Sequence, residues 1–382
     1  MSNQREYVRK LEGGGFGQSP RLWQLMRIDL LLLLFIVLLS VFGLMVLYSA
    51  SSQNTDMLRK QAIFLLGGYF ALIVCAHIPA LLYRRFAPFL YFIGLFFLVA
   101  VFFFGEHSKG AQRWLDIPGL PRFQPSELMK LVTPLMAAWY LSTRTLPPRF
   151  KYIVAVLLIT LMPAALISMQ PDLGTSILVA SSGFFVLLLA GLKWRYVFLA
   201  IIGGLMAAWP VWQFVLHDYQ RLRILTLLDP ERDKFGAGWN IMQSKTAIGS
   251  GGWTGSGWLE GTQSQLKFLP ESHTDFILAV LAEEWGFLGV LALLALYLCI
   301  IARVLVLSWA ADTVFNKLVI ASMGLTFFVY IFVNIGMVSG MLPVVGVPLP
   351  LISRGGTSII SLMVGFGIVM ALSADKRQFS HH

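Results

Sequence analysis

Charge and cysteine are both scarce in this sequence. Only 13% of its 382 residues are charged, whereas 57% are hydrophobic, and a soluble domain carries about twice that share of charge. The two cysteines, Cys75 and Cys299, lie inside apolar runs without metal-ligand spacing around them. These shortages exclude a soluble globular domain, a disulfide framework and a cysteine-based metal site.

Acidic residues are fewer than basic ones, 19 against 29, which gives a net charge of +10. Many of the basic residues lie in the two chain ends and in short loops between apolar runs. This is the distribution of a membrane protein whose cytoplasmic loops are positive. We therefore expect no nucleic-acid partner.

Apolar runs of about the 20 residues needed to cross a bilayer recur along the chain. They predict an all-α polytopic membrane protein with cytoplasmic tails at residues 1–27 and 376–382, a membrane domain at 28–375, and a large extracytoplasmic loop at 217–275 between helices seven and eight. The ten predicted transmembrane helices are centred in residues 28–50, 62–83, 88–104, 127–143, 152–170, 174–192, 195–216, 276–300, 317–340 and 357–374.

Three outer loops, at residues 105–126, 217–275 and 341–356, are rich in Gly, Pro, Trp and charge, so we expect function there. Leucines beside Arg221 and Arg223 predict a short helix on the membrane surface. The glycine-rich run at residues 249–257 predicts no regular element, and both a mobile flap and a passive linker fit it.

The mouth of the fourth predicted span carries several polar side chains. Glu127 and Lys130 share one helix face at i, i+3. A lysine inside an apolar span is costly unless it is paired or hydrated, so the two residues form either a structural ion pair or part of a substrate site. We interpret Ser126 as the N-cap of this helix.

Asp275 lies where the long outer loop ends and the eighth apolar run begins. A carboxylate there fits a general base if the loop folds over it, or a helix cap if it does not. Glu283 and Glu284 lie deeper and suit a proton path or partners for Lys130 or another inward-facing cation. Asp172, in a short outer turn, suits either a cation ligand or a cap.

Cations accompany this carboxylate in the outer segments. Ser353, Arg354 and Thr357 follow an apolar, proline-rich loop and suit an anion site. This inventory fits a lipid pyrophosphate donor and a sugar hydroxyl acceptor, but also a lipid flippase or a noncatalytic scaffold. The cations near the outer membrane surface are Arg113, Arg122, Arg221, Arg223, Lys245 and Arg354.

The segments GAQRWLDIPGLPRFQPSELMKL, GTQSQLKFLPESHTDFI, AEEWGFLG and NIGMVSGMLPVVGVPLPLISRGGTS resemble the SEDS family of cell-shape and division proteins, in order along the chain. GTQSQLKFLPE resembles the rod-shape branch, RodA, more than the division branch, FtsW. Where the family more often has an aromatic residue, this chain has Arg354.

The resemblance implies an inner-membrane enzyme that polymerises lipid II into glycan strands on the periplasmic side, with both termini in the cytoplasm. It implies a class B penicillin-binding protein and other elongation-complex membrane proteins as partners, the growing lipid-linked glycan as a second substrate, and a divalent cation, Mg or Mn, with unassigned ligands. It makes Asp275 the catalytic base and undecaprenyl pyrophosphate the leaving group. The predicted substrate-binding residues are Arg113, Trp114, Gln124, Ser126, Glu127, Lys130, Arg221, Arg223, Lys245, Ser353, Arg354 and Thr357.

Overall fold

The computed structural model describes residues 27–108, 111–116, 123–216, 218–233, 236–265 and 271–375. This part of the chain is mostly helical, with one antiparallel hairpin of strands β1, Glu106–Ser108, and β2, Ala111–Trp114. A π-helical turn, Val211–Val215, continues the helix that ends at Pro210, and a short 3-10 helix, Pro230–Arg232, lies in the loop predicted at residues 217–275. The α-helices are α1 Leu30–Ala50, α2 Thr55–His77, α3 Ala80–Phe104, α4 Pro125–Ser142, α5 Phe150–Met169, α6 Leu173–Leu189, α7 Trp194–Pro210, α8 Asp218–Leu228, α9 Ala237–Gly251, α10 Thr262–Gln265, α11 Ile277–Ala310, α12 Val314–Val338 and α13 Thr357–Ala374.

Each predicted span overlaps a helix, although the second, 62–83, runs past the end of α2 at His77 into α3. The described residues contain eight helices long and apolar enough to cross a membrane. Of the other two, α6 is apolar but has only 17 residues, and α4 carries Glu127 and Lys130. A multi-pass membrane protein is therefore confirmed. The count of ten spans stays a prediction.

Polar side chains fix where several helices begin. Asp29 caps α1 by accepting a hydrogen bond from the Leu32 N–H at 2.9 Å. The same carboxylate accepts two hydrogen bonds from the Arg303 guanidinium, at 3.0 and 2.6 Å. This two-point contact joins the start of α1 to the C-terminal part of α11.

The helices differ sharply in how much surface they bury. In the most apolar 18-residue stretch of α12, 67% of the residues are buried inside the protein, whereas no residue of α7 is buried. Exposed aromatic side chains such as Phe70, Phe104 and Trp209 face outward from the bundle. An apolar surface of this kind is suited to lipid and not to water.

The helix that follows Asp275 is broken near its outer end. Within α11, Gly286 has φ 63° and ψ −163°, which interrupts the helical backbone. Backbone hydrogen bonds of 2.9 to 3.1 Å join residues 252–257 to residues 283–288 across this break. Residues 249–251 form the end of α9. The prediction that residues 249–257 form no regular element was therefore wrong for these three residues. The remainder, residues 252–257, is hydrogen-bonded to α11, and the choice between a mobile flap and a passive linker stays a prediction.

Candidate active site

Asp275 lies in the turn of residues 271–276 that leads into α11, and its side chain is partly buried. The N-cap residue of α11 is Phe276, so Asp275 does not occupy the cap position. A Cβ atom on Gly346 would lie 3.6 Å from the Asp275 Oδ2 atom. The carboxylate therefore faces the outer loop that joins α12 to α13.

Three consecutive backbone carbonyls hold this turn in place. The His273 carbonyl accepts a hydrogen bond from the Arg354 N–H at 2.9 Å, and the Thr274 carbonyl accepts one from the Ser353 hydroxyl at 2.5 Å. The Asp275 carbonyl accepts one from the Asn334 side-chain amide at 3.0 Å. The backbone before α11 is thus fixed by the last outer loop and by α12.

The three residues predicted in that last loop have different surroundings. Ser353 is buried, and its hydroxyl also accepts a hydrogen bond from the Leu349 N–H at 2.8 Å, so its contacts hold the loop together. Arg354 has an exposed side chain, and Thr357 begins α13. The buried Gln61 side chain of α2 supports the loop by donating to the Ser353 carbonyl at 3.1 Å.

Glu127 and Lys130 form an ion pair at 2.7 Å, with both side chains less than a tenth exposed. The Lys130 ammonium also donates to the Tyr330 hydroxyl, and the Ser361 hydroxyl donates to the Glu127 carboxylate. The ion pair, one of the two alternatives that the sequence left open for these residues, is therefore present, and a role in substrate binding stays a prediction. Ser126 is the second residue of α4, whose N-cap is Gln124, so the prediction that Ser126 caps the helix was wrong.

This ion pair borders a cavity of about 60 Å³ between α4, α11, α12 and α13. Apolar side chains such as Ile301, Phe327 and Phe366 line most of it. Lys130, Thr326, Tyr330 and Ser361 are the polar residues in its wall. The cavity is thus mainly apolar, with a few polar side chains that include the ion-paired lysine.

The outer hairpin is attached to the turn between α5 and α6. The Arg113 guanidinium donates to the carbonyls of Gln170, at 3.2 Å, and Pro171. The Gln124 amide donates to Asp172 Oδ2 at 3.1 Å. Both predicted substrate-binding side chains therefore make contacts that hold the outer surface together, while Trp114 in β2 is partly buried.

Asp172 is the N-cap of α6, because its Oδ1 atom accepts a hydrogen bond from the Thr175 N–H at 3.2 Å. This contact agrees with the capping alternative of the sequence analysis. The following turn packs on the last outer loop, since a Cβ on Gly174 would lie 2.5 Å from a Val347 methyl group. The start of α6 and the loop beside Asp275 are therefore close neighbours.

The predicted cations of the long loop lie on two helices. Arg221 in α8 forms an ion pair with Asp218 at 3.7 Å, and Arg223 on the same helix is partly buried. Lys245 in α9 is exposed, and its Nζ would lie 2.7 Å from a Cβ on Gly340, at the start of the last outer loop. Arg122 lies outside the described residues.

Glu283 and Glu284 are buried, but they do not pair with Lys130 as one sequence interpretation proposed. The Glu283 carboxylate accepts hydrogen bonds from the Thr262 hydroxyl at 3.1 Å and from the Gln263 N–H at 2.8 Å. The Glu284 carboxylate accepts one from the Ser49 hydroxyl. These two acids attach α10 and α1 to the broken helix α11.

Two amides that support the site, Gln61 and Asn334, were not among the residues predicted from the sequence. Gln61 is 2% exposed and Asn334 is fully buried. A polar residue in an apolar span is rare because it must find a hydrogen-bond partner there. Asn334 lies inside the predicted span 317–340, so this signal was present for it. Gln61, in contrast, follows two basic residues just before the predicted span 62–83 and gave no such signal.

The described residues contain no group of three His, Cys, Asp or Glu side chains that could hold a metal ion. These residues therefore do not form a metal site in which protein side chains supply all the ligands. Magnesium also binds through one carboxylate together with substrate phosphates. A divalent cation stays a prediction, and no step below depends on it.

Residues 29–378 match the FtsW/RodA/SpoVE family of cell cycle proteins, which is nearly the whole chain. The chain belongs to this family. The FtsW/RodA/SpoVE match confirms the SEDS resemblance deduced from the motifs.

Named relatives of this FtsW/RodA/SpoVE protein agree with that placement. It is 51% identical over 360 residues to peptidoglycan glycosyltransferase MrdB of Escherichia coli strain K12, over 94% of this chain and 96% of the relative. A chain of a peptidoglycan synthase complex superposes with a TM-score of 0.80 at 31% identity, over 91% of this chain and 98% of that one. The rod shape determining protein RodA of Thermus thermophilus superposes with a TM-score of 0.68 at 28% identity, over 91% and 97%. The rod-shape branch predicted from GTQSQLKFLPE is confirmed.

Proposed function

We propose that this chain is a peptidoglycan glycosyltransferase that polymerises lipid II into glycan strands during cell elongation. Its 51% identity to MrdB over almost the full length of both proteins supports this activity. Its apolar helices make it a multi-pass membrane enzyme. The proposed orientation puts both termini in the cytoplasm and Asp275 at the periplasmic face of the inner membrane.

Asp275 is the proposed general base. The acceptor hydroxyl oxygen forms a bond to the anomeric carbon of the donor sugar as the bond from that carbon to undecaprenyl pyrophosphate breaks. The hydroxyl proton passes to the Asp275 carboxylate. A sugar hydroxyl is a far weaker acid than a carboxylic acid, so the proton moves only as the new bond forms, and catalysis depends on where the carboxylate is held. The observation that carries this role is the three-carbonyl anchorage of the turn that bears Asp275.

The departing diphosphate needs positive charge close to the same loop. Arg354 carries an exposed guanidinium next to the anchored Ser353, and Lys245 lies over Gly340 at the other end of the loop. We propose that these two side chains stabilise the negative charge of the departing diphosphate. Lys130 is less suited to this task, because the adjacent Glu127 carboxylate already compensates its charge.

A class B penicillin-binding protein is the proposed partner that supplies crosslinking. Support comes from the similarity to a chain of a peptidoglycan synthase complex whose polymerization and crosslinking are coordinated. Other membrane proteins of cell elongation are proposed as further partners. The exposed apolar surface of the bundle leaves room for such helix contacts.

The decisive experiment measures glycan polymerisation from lipid II by the purified full-length chain. Asp275→Asn keeps the shape of the side chain but removes its basicity, so we expect activity to fall about 10²- to 10⁴-fold. The matched control is Glu271→Gln in the same turn. Glu271 accepts a hydrogen bond from the Thr274 hydroxyl at 2.7 Å, and a glutamine oxygen can still accept it.

Near-normal polymerisation by folded Asp275→Asn protein would overturn the proposed mechanism. An equal loss in Glu271→Gln would show that the turn, and not the base, is responsible. Transport of fluorescent lipid II across proteoliposomes without polymerisation would instead favour the flippase. The contacts of Glu283 and Glu284 weaken that alternative, because both acids hold other segments of the protein.

A further inference from the structure

The Asn334 side chain connects two pieces of backbone that meet at Asp275. Its Nδ2 atom donates to the Asp275 carbonyl at 3.0 Å and to the Val347 carbonyl at 2.7 Å. Carbonyl oxygens only accept hydrogen bonds, so the amide nitrogen and not the amide oxygen must face them. Both amide hydrogens are therefore used, one for each backbone segment.

Both of these segments lie close to the Asp275 carboxylate. One is the turn that carries Asp275 itself, and the other is the loop containing Gly346, where an added Cβ would lie 3.6 Å from Asp275 Oδ2. Asn334 thus contacts both the turn that carries the carboxylate and the loop that the carboxylate faces. Ser353 and Arg354 of the loop also donate to this turn, and Asn334 adds a connection from α12.

Asn334 differs from the other donors to this turn. The donors to the His273 and Thr274 carbonyls, Arg354 and Ser353, belong to the outer loop, whereas Asn334 lies within α12 and is fully buried. Only Asn334 among these three ties the turn directly to a membrane helix. A buried carbonyl that loses its donor turns toward another partner, which would shift the Asp275 backbone.

We propose that Asn334 is a positioning residue for Asp275, acting through the backbone and not on the substrate. This inference rests on the proposed role of Asp275 as the base. A displacement of about 1 Å at a reacting group can lower a rate about 100-fold. Loss of the Asn334 donor should therefore slow the chemical step while leaving substrate binding nearly intact.

The test compares Asn334→Leu, which keeps the number of side-chain heavy atoms and the branching at Cγ but has no donor, with Asn316→Leu as the matched control. Asn316 lies 18 residues earlier in α12, about 27 Å away along the helix, is 3% exposed and donates from its Nδ2 to the Leu372 carbonyl at 3.0 Å. In lipid II polymerisation we expect Asn334→Leu to lower kcat about 10- to 100-fold with KM changed less than about 2-fold. Asn316→Leu should keep kcat close to wild type.

Asn334→Asp adds a graded measurement, since a carboxyl group offers at most one proton to the two carbonyls. Its kcat should fall between wild type and Asn334→Leu, and it serves alone if the leucine variant does not fold. Wild-type kcat in folded Asn334→Asp and Asn334→Leu proteins, or an equal loss in Asn316→Leu, would overturn the positioning role. Asp275→Asn in the same assay separates the two proposals: if it is inactive while both Asn334 variants are normal, only the positioning inference fails.

Discussion

Glu127 and Lys130 are two buried charges whose removal from water costs free energy, and their mutual contacts compensate this cost. Their ion pair at 2.7 Å is supported by the Ser361 and Tyr330 hydroxyls, so each charge has more than one partner. Removing one member leaves the other as an uncompensated buried charge. Replacing one of the two residues should therefore lower the free energy of unfolding more than replacing both.

We predict that Glu127→Gln and Lys130→Met each lower the free energy of unfolding by about 3–5 kcal/mol. The double variant should recover much of this loss, because it removes both charges. Thermal unfolding in detergent, followed by tryptophan fluorescence, measures how far the stability of each of the three variants differs from that of the wild type. Glu231→Gln, at an exposed carboxylate of the outer loop, should stay within about 0.5 kcal/mol of wild type. A double variant less stable than either single one would contradict this account.

At the scale of elements, the broken helix α11 and the glycine-rich segment depend on each other. A helix break leaves backbone N–H and C=O groups without their usual partners, and such groups must be satisfied inside a membrane. Residues 252–257 supply these partners, with Ser256 N–H donating to the Glu283 carbonyl at 3.0 Å and Phe287 N–H donating to the Gly252 carbonyl at 2.9 Å. Glycine is needed because the two backbones approach closely.

Gly255 gives a direct test of this close approach. It has φ +82°, and an added Cβ would lie 2.1 Å from the Glu284 carbonyl oxygen. Gly255→Ala should therefore destabilise the protein by at least about 1–3 kcal/mol. Gly249→Ala is the control, since its Cβ would have no neighbour within 4 Å, and alanine in α9 should be neutral or stabilising by up to about 1 kcal/mol.

Thermal unfolding and hydrogen exchange of the amides in residues 252–257 and 283–288 measure the effect. Faster exchange across both segments in Gly255→Ala alone is expected. Equal behaviour of the two alanine variants would mean that the segment does not require glycine at residue 255.

At the scale of the whole molecule, the alternation of outer and inner loops follows from the number of spans. With ten spans, Asp116 and Trp253 lie outside and Arg149 and Asp312 lie inside, and all four side chains are exposed. In a chain whose Cys75 and Cys299 are replaced by serine, single cysteines at these positions report the topology. A membrane-impermeant maleimide should label Asp116→Cys and Trp253→Cys in spheroplasts, and Arg149→Cys and Asp312→Cys only after lysis. Labelling of Asp312→Cys in intact spheroplasts would contradict the predicted orientation.

The sequence by itself determined the helices, because an apolar run long enough to cross a bilayer has few other stable conformations. It also placed Asp275 at the entrance of one span, and its motifs identified the family. Its capping prediction failed for Ser126, since Pro125 already begins the helix one residue earlier.

Only the tertiary structure decided which polar groups meet. Asn334 and Asp275 are 59 residues apart, and Arg303 and Asp29 are 274 apart. Local patterns do not predict such pairs, because most of the long membrane-spanning helices are apolar on nearly all sides and their composition does not distinguish the lipid-facing side from the buried side. The partners of each buried polar side chain were therefore set by which helix faces pack together.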